Sequence, residues 1–99
     1  MNTVAKIVSA IKKSHDTEKI VLFGSYAKGT QTNASDIDLA VIQNTNLPYH
    51  ERLKAFRLNL RNTVPVDLFV FTPNEFKQAQ KTNPFVNQIF TQGKILYEK

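Results

Sequence analysis

The chain has 99 residues, with 13 lysines and arginines against 8 aspartates and glutamates, for a formal net charge of +5, and it has no cysteine. That length supports one core and a single domain over 1–99, too small to add a separate substrate domain. The absence of cysteine excludes disulfides and thiolate chemistry, while the basic balance suits a polyphosphate, a nucleic acid or an acidic protein surface without choosing among them.

In chain order, Val4, Ile7, Val8 and Ile11 recur at helical spacing behind Asn2 or Thr3 as cap, which predicts an amphipathic first helix. Lys6, Lys12 and Lys13 interrupt its apolar positions, so it is expected to be neither a signal peptide nor a membrane span, and a cytoplasmic protein is the default. Lys19-Ile20-Val21-Leu22-Phe23 reads as a buried strand that stops at Gly24-Ser25. Glycine lets a phosphate approach the backbone with no Cβ in the way. Ser25 adds a hydroxyl and an amide at the start of a short predicted helix through Tyr26, Ala27 and Lys28, whose exposed amides and positive end favour an anion. Gly29 and the polar run 30–35 then form a loop back towards the next strand.

That strand opens with Asp36-Ile37-Asp38-Leu39. Side chains alternate along a strand, so Asp36 and Asp38 share one face while Ile37, Leu39 and Val41 share the other. Alpha carbons two residues apart stand roughly 7 Å apart, close enough for the carboxylates to converge on two metal ions about 3.5–4 Å apart. A third acid, Asp67, interrupts the otherwise apolar run Val64-Pro65-Val66-Asp67-Leu68-Phe69-Val70-Phe71. A carboxylate there is expensive to desolvate unless a cation or hydrogen bonds answer it. It lies either in solvent at a frayed strand entrance or beside Asp36 and Asp38. In the second arrangement the three form an all-oxygen site suited to Mg²⁺ or Mn²⁺ rather than zinc. Phe69 and Phe71 share the face of Asp67, so either the strand twists away from the site or the aromatics wall it.

The rest reads as scaffold. A helix is expected over 49–61, with Leu53, Phe56 and Leu60 on one stripe and Lys54, Arg57 and Arg61 on an adjacent one. That basic stripe is first a solvated face and second a docking candidate. Thr72-Pro73-Asn74-Glu75 is a capping box that starts a helix carrying Phe76 and Ala79. Asn83-Pro84 starts another, with Phe85, Val86, Ile89 and Phe90 as its apolar side and Gly93 as its end, before a short strand over 95–97. His15 and His50 fall near element ends and read as surface or capping residues.

The segment from Gly24-Ser25-Tyr26-Ala27-Lys28-Gly29 through Ser35-Asp36-Ile37-Asp38-Leu39 resembles the signature of the DNA polymerase beta-like nucleotidyltransferase superfamily, and the small size is similar to its minimal nucleotidyltransferase branch. The resemblance implies an α+β fold, a mixed β-sheet with helices packed against it, where element order alone would suggest a doubly wound parallel sheet. It implies Asp36, Asp38 and Asp67 as catalytic, metal-holding residues for two Mg²⁺ ions (or Mn²⁺), and Gly24 and Ser25 as the nucleotide-binding bend for ATP. Relatives often carry arginine where this chain has Lys28, which keeps the charge but loses the two-pronged grip, so Lys28 is a candidate triphosphate contact beside an exposed-surface role.

The branch implies an antitoxin that transfers AMP from ATP to a tyrosine of a HEPN ribonuclease toxin. Two alternatives stand beside it. One is a non-catalytic binding subunit that blocks its partner sterically, and the other is a subunit of a small-molecule nucleotidyltransferase. No membrane partner is expected, and direct nucleic-acid binding is not favoured.

Overall fold

The computed structural model describes residues 3–14, 16–32, 34–57 and 65–99. Within them, apolar alternation builds four strands, β1 (Thr17–Phe23), β2 (Ile37–Gln43), β3 (Val66–Phe71) and β4 (Lys94–Glu98), in the order β3-β2-β1-β4. β1 runs antiparallel to β2 and to β4, while β2 runs parallel to β3, so the sheet is mixed. The link from β1 to β2 holds only a single helical turn and a loop, too little for a parallel crossover, and the two strands therefore meet antiparallel. The parallel pair β2–β3 has its crossover in the segment that contains α3 (Tyr49–Arg57).

Strand alternation gives the sheet two different faces. Ile20 and Leu22 of β1, Ile37, Leu39 and Val41 of β2 and Val70 of β3 point to one side, where Ile7 and Ile11 of α1 (Thr3–Ser14) close over them. Fully burying each of these side chains contributes roughly 1.5–3 kcal/mol, so this layer dominates the core. Val21 and Ala40 point to the other side and pack on Ile89 of α5 (Pro84–Gln92), with Phe23, Phe71 and Phe90 around them. By the same alternation Asp38 belongs to this second face.

Local signals fixed the helix starts. Thr72 Oγ1 accepts from the Glu75 amide at 3.2 Å and Glu75 Oε1 accepts from the Thr72 amide at 3.0 Å, which completes the capping box of α4 (Pro73–Thr82). Asn83 Oδ1 caps α5 by accepting from the Phe85 and Val86 amides at 3.0 and 3.4 Å. β4 is longer than its expected 95–97. The expected helix 49–61 is present as α3 to Arg57. Residues 58–64, with Leu60 and Arg61, lie outside the described residues, as do the side chains of Phe56 and Arg57 and all of Asn2 and His15. Lys54 is exposed and meets Glu51 at 3.3 Å, and His50 is exposed beside Glu51, as a surface residue should be. No helix among the described residues is long and apolar enough to cross a membrane.

One buried charge was not anticipated. Arg52 of α3 is 5% exposed; its Nε donates to the Leu47 carbonyl at 2.9 Å and its Nη1 to the Val70 carbonyl at 3.2 Å. Both its amino groups hold the Glu75 carboxylate, Nη2 at 2.9 Å from Oε2. This clasp ties α3 to α4 and β3, and the Arg52 hydrogen bond, working against partial burial, holds the Glu75 carboxyl below the usual range.

Candidate active site

Strand register lines up three residues across the sheet: Phe23 on β1 pairs with Asp38 on β2, which pairs with Asp67 on β3. The Ile37 amide donates to the Pro65 carbonyl at 2.9 Å, so the parallel pair begins in register and brings the two aspartates side by side. Asp67 is exposed, as the solvent-facing expectation has it, yet it also stands beside Asp38. Asp38 is half-buried and Asp36 is exposed just ahead of the strand. Burial above all, then the charges of Asp67 and Asp36 and a hydrogen bond with Asp67, push the Asp38 carboxyl above its ordinary range. No ion pair among the described residues engages any of the three.

The glycine bend faces this cluster. Gly24 has φ 74° and ψ −154°, a conformation essentially restricted to glycine. A Cβ there would run into the Asp38 carboxylate, lying 3.1 Å from its Cγ. α2 (Ser25–Lys28) follows, with the Lys28 amide bonded to the Gly24 carbonyl at 3.2 Å and the Thr30 amide to the Ser25 carbonyl at 3.0 Å. Gly29 closes it in the left-handed region. Because α2 is one turn long, it offers an anion its free amides and the Ser25 hydroxyl rather than the summed dipole of a long helix.

Phe69 and its neighbours wall the site. Phe69 stands 5.7 Å from Phe23 and 6.2 Å from Phe85, and Phe23 stands 6.1 Å from Phe85, centroid to centroid. Phe71 packs further along the sheet against Phe90 at 6.4 Å. Beside this wall lies a cavity of about 180 Å³ bordered by Phe23, Gly24, Lys28, Phe85, Gln88 and Gln92. Phe85, expected on the apolar side of α5, is 51% exposed. Gln88 and Gln92 were not singled out from the sequence. Their signal was readable as two amides one turn apart, interleaved with the apolar stripe of α5.

Among the described residues, no three His, Cys, Asp or Glu side chains form a ready metal cage. The donor set is instead the neighbouring pair Asp38 and Asp67, in register across β2 and β3, with Asp36 acting on Asp38 through charge. Mg²⁺ commonly takes one or two carboxylates and completes its shell with water and substrate phosphate, so an uncompensated oxygen-only pair fits such an ion.

Comparison with known proteins adds the family. Residues 5–99 match the family described as "Polymerase beta, Nucleotidyltransferase". The chain is 31% identical over 96 residues to "Putative protein adenylyltransferase MJ0604" of Methanocaldococcus jannaschii, covering 95% of this chain and 94% of that protein. A solved structure titled "Crystal structure of the toxin-antitoxin with AMP-PNP" superposes with TM-score 0.73 and 31% identity over 100% of this chain and 75% of its own. A mutant MntA-HpeT toxin-antitoxin structure superposes with TM-score 0.69 and 27% identity over the same shares. The chain belongs to the polymerase beta-like nucleotidyltransferase family.

Proposed function

We propose that this protein is a Mg²⁺-dependent adenylyltransferase that moves AMP from ATP to a hydroxyl of a protein partner, a tyrosine of a HEPN ribonuclease toxin, and so acts as a cytoplasmic antitoxin. The observation that carries this reading is the meeting of Asp38 with Asp67 on one side and with the side-chain-free Gly24 on the other. The relative named as a protein adenylyltransferase and the toxin-antitoxin structures support the choice of acceptor.

Asp36, Asp38 and Asp67 would hold the divalent cations, which supply charge neutralisation for the triphosphate and lower the pKa of the acceptor hydroxyl. Gly24 admits the outer phosphates to the backbone, and Ser25 and Lys28 donate to their oxygens. This leaves the α-phosphorus facing the acceptor in line. The acceptor oxygen forms a bond to that phosphorus as the bond to the bridging oxygen of the β-phosphate breaks, and pyrophosphate departs. Asp67, the most accessible of the paired acids, takes the hydroxyl proton on a carboxylate oxygen.

Incubating the purified partner with Mg²⁺, ATP and this protein should add AMP mass to the partner, at a tyrosine identified by fragmentation. Replacing Asp38 by Asn should stop that addition. An inhibited but unmodified partner would favour the steric-blocking alternative and overturn the transferase assignment.

A further inference from the structure

A groove of about 460 Å³ runs between α1 and the outer strand β4, floored by Val4 and Val8 of α1, Leu22 of β1 and Leu96 of β4. We infer that it is a docking site for an acidic, extended segment of a protein partner, which adds to the free edge of β4 as a fifth strand. The inference stands apart from the transferase reading and does not depend on it.

The edge gives the first argument. In the order β3-β2-β1-β4, the last strand is bonded to β1 alone, so one side of its backbone has no strand partner among the described residues. Such a row of donors and acceptors matches another peptide backbone and not a lipid tail. Apolar side chains also stand open on both faces of this edge. Leu96 lies half-buried in the groove. Ile95, paired with Val21 of the opposite face, is 49% exposed. An added strand, with side chains alternating between faces, covers both at once.

Charge gives the second. Lys12 and Lys94 line the groove, and no carboxylate does. The Lys12 ammonium lies 4.6 Å from the centre of the Tyr97 ring, which keeps it beside β4. Neither lysine has an ion-pair partner among the described residues, whereas Glu98 of β4 is engaged by Lys19 at 3.1 Å. Glutamates of an incoming strand lay their stems on Val4, Val8 and Leu96 and carry their carboxylates to the two lysines. A second copy of this chain fits poorly. The bulge in β4 puts Lys94, opposite Leu22, and Glu98, opposite Lys19, on different faces, so they do not meet between two antiparallel β4 strands. Tyr26, directly after Ser25, lines the groove on the face away from Asp38, so an occupant reaches the glycine bend from behind and leaves the acids open.

The test is an amide NMR titration of the whole ¹⁵N-labelled protein, without nucleotide, for the wild type and for Lys12→Glu/Lys94→Glu. The probes are an acetylated eight-residue peptide alternating valine with glutamate, its counterpart alternating valine with lysine, and vesicles of phosphatidylcholine and phosphatidylglycerol. The glutamate peptide should shift the amides of β4 and of α1 in wild type and leave those of Asp38 and Asp67 in place. The double variant should bind it about tenfold or more weakly and take up the lysine peptide instead. Unmoved resonances elsewhere show that the variant is folded. No shift with the glutamate peptide, equal shifts with both peptides, shifts away from β4 and α1, or binding unchanged in the double variant would overturn the proposal. It would equally fall if vesicles rather than the peptide moved these amides, or if they moved with protein concentration alone, which assigns the edge to a membrane surface or to a second copy.

Discussion

Gly24 lies so near the Asp38 carboxylate that no Cβ fits between them, and substitutions at the two positions should separate stability from activity. In Gly24→Ala the new Cβ meets the Asp38 carboxylate in a backbone conformation that L-residues rarely adopt. We expect a loss of about 1–3 kcal/mol in urea unfolding, together with loss of nucleotide transfer. Asp38→Asn should behave oppositely on the first count. The folded state raises the Asp38 carboxyl, so it holds a proton more tightly than the unfolded chain does, and ionisation at neutral pH works against folding. Removing the charge should leave the ion-free protein as stable or more so at pH 7, and any gain should disappear below about pH 3.9, where both states are protonated. Transfer should nevertheless fall by at least about 10²-fold, the scale of losing one preorganised electrostatic group.

At the scale of elements, the Arg52–Glu75 clasp joins α3, α4 and β3, and its pH dependence has the opposite sign. Glu75 is held low chiefly by the Arg52 hydrogen bond, so its contribution is fully present above the ordinary glutamate pKa of about 4.3 and is lost as pH falls through its lowered value. Glu75 is 46% exposed at its side chain, which places the cost of Glu75→Gln below that of a fully buried pair, at about 1–3 kcal/mol at pH 7. The gap between wild type and variant in urea midpoints should close as pH drops below 4. The clasp also shows which features the chain discloses one residue at a time. The capping box at Thr72 and the Asn83 cap act within three residues, so their spelling is sufficient. Arg52 and Glu75 are 23 positions apart and meet only because α3 and α4 both lie by β3, which no local pattern announces. Phe85 carries the same lesson. Its spacing marks the apolar side of α5, but only the approach of α5 to β1 turns that ring into a cavity wall.

At the scale of the molecule, the mixed sheet is what makes the site. Antiparallel β1–β2 returns the chain from the glycine bend directly to Asp38, and parallel β2–β3 adds Asp67 at the same level. The motif spacing made the first of these legible. The second needed register, because Asp67 alone also reads as a solvated strand entrance. Three of the eight acids gather at this one end, which leaves the rest of the chain more basic than the net charge of +5 conveys and suits a polyphosphate substrate. The most direct test is an anomalous difference map from crystals grown with Mn²⁺ and a non-hydrolysable ATP analogue. Peaks bounded by Asp36, Asp38 and Asp67 are expected, about 3.5–4 Å apart where two ions bind, with the outer phosphates on Gly24 and Ser25. Manganese bound elsewhere, or a triphosphate turned away from the glycine bend, would contradict this arrangement.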